Sequence, residues 1–266
     1  MENEKLVMLS EALSHSLFKN KRVTTTFKLN IADFDNDIVK LNKLINKLED
    51  ACEGDEIEVR ISSYGGSVEE FNQIKNTIDT YFYGRCTTIL NPTAYSAGAC
   101  CFLIGNKRVV YENSNIMFHD VSLGTVGKHS DVKNQSKFYA KYFDDMSKRE
   151  LSPYFSDEEI QRLLSGEEFW FDALEMCKRK IATHVHMFGV ELEASAYIEY
   201  CENPKNRKVL LEMFAKRECL PNNDLLRVKH ELSLLNDVTP PKLPEYSDDE
   251  KTKNSKSKKE KKNKKA

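Results

Sequence analysis

The stretch from residue 56 to 82 restricts the fold more than any other. Glu56-Ile57-Glu58-Val59-Arg60-Ile61-Ser62 alternates with a period of two, as a half-buried strand does. Ser63-Tyr64-Gly65-Gly66-Ser67-Val68 follows at once, and Phe71, Ile74, Ile78 and Phe82 then recur at helical intervals. The order is strand, glycine turn, helix. Upstream, Arg22-Val23-Thr24-Thr25-Thr26-Phe27-Lys28-Leu29 has the β-branched content of a strand, and Ile38, Leu41, Ile45 and Leu48 mark an amphipathic helix between Asp37 and Glu49. Strands alternating with helices place the chain in the α/β class. The paired glycines let backbone approach a ligand and aim N–H groups at an anion or carbonyl, or they simply make a tight turn. The lysine and hydroxyl residue of a phosphate loop are missing, and no dinucleotide fingerprint is present.

A second strand-to-helix passage carries the candidate chemistry. Thr87-Thr88-Ile89-Leu90 reads as a short buried strand that Asn91-Pro92 is expected to break. Thr93-Ala94-Tyr95-Ser96-Ala97-Gly98-Ala99-Cys100-Cys101-Phe102-Leu103 then sets Ser96 among small neighbours at the start of a buried helix. Free N–H groups and the positive dipole end gather there, so a nucleophilic Ser96 would find its oxyanion stabilised by fixed donors. The alternative is a plain serine N-cap on a core helix.

Arg108-Val109-Val110-Tyr111 and Ile116-Met117-Phe118 are two further strands, and His119 at the end of the second is either a general base for Ser96 or a structural histidine. Gly124 and Gly127 suggest a mobile or ligand-lining hairpin. A charged helix spans residues 130 to about 151, and its Phe138, Tyr142 and Phe143 suit an interface. Pro153 stops it, and Ser156-Asp157-Glu158-Glu159 is a capping box that opens a helix through Leu164. Glu167 and Glu168, ahead of Phe169-Trp170-Phe171, either orient an imidazole or form a solvated turn.

Composition sets the outer limits. The 266 residues suffice for one sizeable domain and an appendage, and 40% hydrophobic content supports a real core. Seven cysteines, none in a Cys-x-x-Cys pair, argue against a disulfide framework or zinc knuckle and fit a reducing cytoplasm; no metal or cofactor is implied. No run approaches 18 apolar residues, and the N-terminus lacks a signal core, so neither secretion nor membrane spanning is expected. The net charge of −2 hides a tail, residues 247–266, with nine lysines against four acids. Having no apolar residue larger than Ala, that tail is expected to be disordered, and it either binds an acidic partner or nucleic acid or merely aids solubility.

Three stretches, in order and at matching separations, resemble the caseinolytic peptidase family, ClpP. They are Ser63-Tyr64-Gly65-Gly66-Ser67-Val68, Pro92-Thr93-Ala94-Tyr95-Ser96-Ala97-Gly98-Ala99 and Asn113-Ser114-Asn115-Ile116-Met117-Phe118-His119. The resemblance implies repeated β-β-α units of the kind shared with crotonases, and a serine endopeptidase assembled into homo-oligomeric rings. It further implies Ser96 as nucleophile, His119 as general base, and the N–H groups of Gly66 and Ala97 as oxyanion hole. Aligning Trp170-Phe171-Asp172-Ala173-Leu174-Glu175 with the family's acidic segment makes Glu168 the third triad member in place of an aspartate, with Glu167 as competitor. Tyr64, Pro92 and Tyr95 depart from the family pattern, and bulk at Tyr95 would narrow the substrate channel; the resemblance is therefore to a divergent form, of a kind that often occurs in large phages.

By this comparison residues 1–21 form an N-terminal arm, 22–185 the peptidase domain, 186–240 a helical extension and 241–266 the basic tail. The long charged helix would be the contact between rings, peptides or proteins the substrate, and any ATP-driven unfolding the work of a separate partner. Two alternatives share the fold: a catalytically inactive ring subunit or scaffold, and a crotonase-type acyl-CoA enzyme, which would call for acids in place of the serine and histidine.

Overall fold

A computed structural model describes residues 24–217 and 220–236. The chain forms two compact units, Met1–Asn203 and Pro204–Ala266. The N-terminal arm and the lysine tail expected from the sequence lie outside the described residues.

The first unit begins with β1 (Thr26–Ile31), α1 (Ile38–Leu48), β2 (Glu56–Ser63) and α2 (Val68–Tyr81). Asp37 caps α1 by accepting from the N–H groups of Val39 and Lys40, and Ser67 caps α2 by accepting from Glu70 N–H. Both helices therefore start where their first apolar positions demand. Next come β3 (Cys86–Tyr95), α3 (Ala97–Leu103), β4 (Lys107–Tyr111) and β5 (Asn115–Phe118). After them run α4 (His129–Leu151), α5 (Asp157–Leu164), β6 (Phe169–Asp172), α6 (Ala173–Lys178), β7 (His184–Met187), β8 (Val190–Glu193) and α7 (Ala194–Glu202). The capping box of α5 forms as expected, with Ser156 and Glu159 bonding reciprocally.

The sheet runs β1-β2-β3-β4-β7-β8, and every pairing from β1 through β7 is parallel. Parallel strands need crossovers, which α1 and α2 supply between the first three strands. β3 has two partners on one side: Thr87–Ile89 pairs with β4, and Thr93–Tyr95 pairs with β5, which carries β6 antiparallel. Ile57, Val59, Ile61, Leu90, Phe82 and Phe102 are essentially inaccessible and form the core.

One expectation needs correction. The strand does not break at Asn91-Pro92 but continues to Tyr95. Its register with β2 passes from Ile61↔Leu90 to Ser63↔Ala94, so β3 spends two extra residues there, and a proline without an N–H costs the ladder nothing at such a bulge. The β7–β8 hairpin, in which residue 185 falls, belongs to the first compact unit, which runs on to Asn203.

The second unit contains α8 (Pro204–Ala215) and α9 (Asn222–Asn236). Leu211, Phe214 and Val228 are buried, and Glu231 accepts from Arg207 at 2.8 Å and from Arg227 at 3.0 Å.

Candidate active site

Parallel strands end on the same edge, and here three ends meet. Ser63 of β2 is paired with Ala94, and Tyr95 of β3 with Met117 of β5. The residues just past these ends are the glycine turn, Ser96 and His119. Carboxyl ends of parallel strands are where α/β sheets commonly present ligand sites.

Ser96 is bent sharply, with φ 56° and ψ −125°, a conformation that costs a non-glycine residue about 1–3 kcal/mol. Its N–H donates to Met117 O at 3.0 Å, and its carbonyl accepts from the N–H groups of Ala99 and Cys100 at 2.9 and 3.2 Å. It occupies the N-cap position of α3, yet its hydroxyl makes no capping bond and has no hydrogen-bond partner among the described residues. A structural cap would use that oxygen. Sharp strand-to-helix turns of this kind expose a nucleophile above a sheet.

The glycine turn packs directly against it. Gly65 (φ 107°) lies so close that a Cβ there would come within 2.7 Å of Ser96 Cβ, and a Cβ on Gly66 (φ 128°) would come within 2.1 Å of Phe34 O. Side chains are therefore excluded at both positions. Phe34 N–H donates to Gly65 O at 2.8 Å and Phe34 O accepts from Ser67 N–H at 3.0 Å, so the backbone is held on both sides of Gly66. Asp33 Oδ1 accepts from Tyr64 N–H at 2.5 Å and from Ser63 Oγ at 3.3 Å, while Ser63 Oγ accepts from Gly65 N–H at 3.0 Å. The N–H groups of Gly66 and of Ala97, the first residue of α3, have no acceptor among the described residues. Asp33 escaped the sequence reading; its one visible signal is a short acid just past a strand end, a residue type that readily bonds nearby backbone.

Gly66, Ser96, Ala97 and His119 line one cavity of about 110 Å³. α4 contributes Met146, Ser147, Glu150 and Leu151 to its wall, and Val121 and Ser122 line it from the segment after His119. That segment is lining but forms no hairpin: residues 119–128 contain no strand. Neither Ser96 Oγ nor the His119 ring is hydrogen-bonded to a described residue, an arrangement common in unliganded sites, whose bonds tighten around substrate. Cys100 also lines the cavity, but burial, reinforced by the charge of Glu150, pushes its thiol up to about 12 and keeps it protonated.

Glu168 is not part of the cavity lining. Its carboxylate accepts from Trp170 Nε1 at 3.0 Å, on the exposed surface. The β5–β6 ladder ends at the pair Phe118–Phe169, so His119 and Glu168 are the residues that flank its last pair. Glu167 is taken up by Arg162, with one bond of 2.7 Å and a second from Nη2. Tyr95 is not among the residues that line this cavity. Its ring packs edge-on against Tyr64 and Trp170, at 5.5 and 5.0 Å between centroids, and its hydroxyl donates to Asn115 Oδ1 at 2.5 Å.

Among the described residues, no group of three or more His, Cys, Asp or Glu side chains is arranged to hold a metal ion. No helix among them is long and apolar enough to cross a membrane. The model of one protein family, described as Clp protease, matches residues 11–185, well over half of the chain. No curated protein matches.

Proposed function

Because the chain belongs to the Clp protease family, we propose that it is a serine endopeptidase in which Ser96 is the nucleophile and His119 the general base. Ser96 Oγ attacks the peptide carbonyl as His119 takes its proton. The N–H groups of Gly66 and Ala97 hold the oxyanion, His119 protonates the leaving amine, and water then releases the acyl-enzyme. One observation carries this reading: a strained serine whose hydroxyl performs no structural task shares a cavity with a histidine and with two N–H groups that have no acceptor among the described residues.

Glu168 is the third member. Its place next to Phe169, which pairs with the Phe118 that precedes His119, supports it, and the commitment of Glu167 to Arg162 argues against the competitor. To orient the imidazole, Glu168 must leave Trp170, and a glutamate has the extra methylene for that reach. The chain works as a homo-oligomeric ring, with α4 at an interface. Phe138 and Tyr142 support this, standing exposed on α4 with their rings stacked at 6.0 Å. Any ATP-driven unfolding comes from a separate partner.

An inactive ring subunit is the second reading, favoured by the engagement of Glu168 with Trp170. Labelling with a fluorophosphonate separates the two. Wild-type protein labelled where Ser96→Ala is not supports the peptidase; folded wild-type protein that takes no label supports the scaffold or an acyl-CoA enzyme.

A further inference from the structure

The cavity beside Ser96 has a composition that selects a substrate. Its wall is largely apolar, with Val68, Phe71, Phe118, Met146 and Leu151, and among the described residues Glu150 is the one acid that lines it. At about 110 Å³ it holds a single side chain rather than a drug-sized ligand, which needs roughly 300–1,000 Å³. We propose, on the premise that the chain is the peptidase described above, that this cavity receives the side chain preceding the scissile bond and that Glu150 makes it select lysine or arginine.

Two observations point the same way. Glu150 occupies the last turn of α4, where the negative end of the helix dipole disfavours an acid and favours a cation. Lys148 and Arg149 conform to that rule, whereas Glu150 gives the helix nothing and adds its charge to the dipole's. Glu150 lines the same cavity as Cys100, whose thiol its charge helps, after burial, to keep protonated. The apolar wall suits the methylene stem of a long basic side chain, and Ser147 offers a further acceptor to its tip. Arg149 Nε donates to Glu150 at 3.2 Å, but the Arg149 side chain is 68% exposed, and a contact of that kind is worth little against a cation held inside the cavity. A carboxylate in a specificity pocket acts this way in trypsin-type enzymes.

The test uses the purified full chain and fluorogenic peptides that differ only in the residue before the scissile bond: lysine, arginine, methionine or glutamate. Wild-type kcat/KM is expected to favour lysine over the similarly sized methionine by about tenfold, the worth of one charge-assisted hydrogen bond. In Glu150→Gln the ratio is expected to fall toward one, and in Glu150→Lys the order of lysine and glutamate peptides is expected to reverse. A wild-type ratio at or below one overturns the inference without recourse to any variant, as does a lysine preference that persists in Glu150→Gln protein still labelled at Ser96 by a fluorophosphonate. If wild-type Ser96 takes no label and no peptide is cleaved, the peptidase reading falls and this inference with it.

Discussion

Asp33 does not line the cavity, yet it bonds the turn that carries Gly66. Replacing it by alanine removes the acceptor of Tyr64 N–H at 2.5 Å and of Ser63 Oγ at 3.3 Å, and so frees the hydroxyl that receives Gly65 N–H. The Tyr64 bond is exposed and water can replace it, so the stability cost should be only about 1 kcal/mol. The catalytic cost is larger, because an oxyanion donor works only when aimed. Outright loss of such a donor costs about 10²- to 10³-fold in kcat. Phe34 still holds the turn through its bonds of 2.8 and 3.0 Å, so Asp33→Ala should lose part of that, about ten- to a hundredfold in kcat with KM little changed. Asp33→Asn keeps an Oδ1 acceptor and should recover most of the rate. Steady-state hydrolysis of one peptide by the three proteins decides. Wild-type kcat in Asp33→Ala, or an Asp33→Asn variant as slow as the alanine, would show that this carboxylate does not position the donor.

Two other predictions concern stability and assembly. Arg179 grips Glu159 through bonds of 2.8 and 3.1 Å and holds its carboxyl down at about 2, below an ordinary value of 4.5; the stabilisation is therefore complete above pH 4.5 and lost as pH falls toward 2. After solvent screening it amounts to roughly 1–2 kcal/mol, and urea unfolding of wild type and Arg179→Met at pH 7 and pH 3 should show a gap that narrows in acid; an equal gap at both pH values would refute it. Phe138→Asp combined with Tyr142→Asp, at side chains 63% and 43% exposed, should lower the mass measured by light scattering, and an unchanged mass would remove α4 from the interface.

Local pattern made the early elements legible. The period-two run of β2, the helical spacing of α2 and the capping box of α5 each depend on residues within one turn or strand, so the sequence carries them openly. The proposed site residues could be picked out for the same reason: Gly66, Ser96 and His119 follow strand ends and Ala97 opens α3, where short motifs stand out. What failed depends on distant partners. Pro92 reads as a breaker until the β2 register is known, because only the bulge against Ile61 and Ser63 makes its missing N–H harmless. The β7–β8 hairpin turns through Phe188 and Gly189, both with positive φ, and phenylalanine in such a turn lacks the usual asparagine or aspartate signal. Asp33 and Glu150 reach the site only through tertiary placement, one by bonding the glycine turn 31 residues away and the other by lining the cavity from α4.

A structure of the fluorophosphonate adduct probes the chemistry most directly. The phosphonyl oxygen is expected about 2.7–3.1 Å from both the Gly66 and Ala97 nitrogens, with phosphorus on Ser96 Oγ and the His119 ring within hydrogen-bond reach of that oxygen. A phosphonyl oxygen turned away from both N–H groups, or an adduct on any residue other than Ser96, would contradict it.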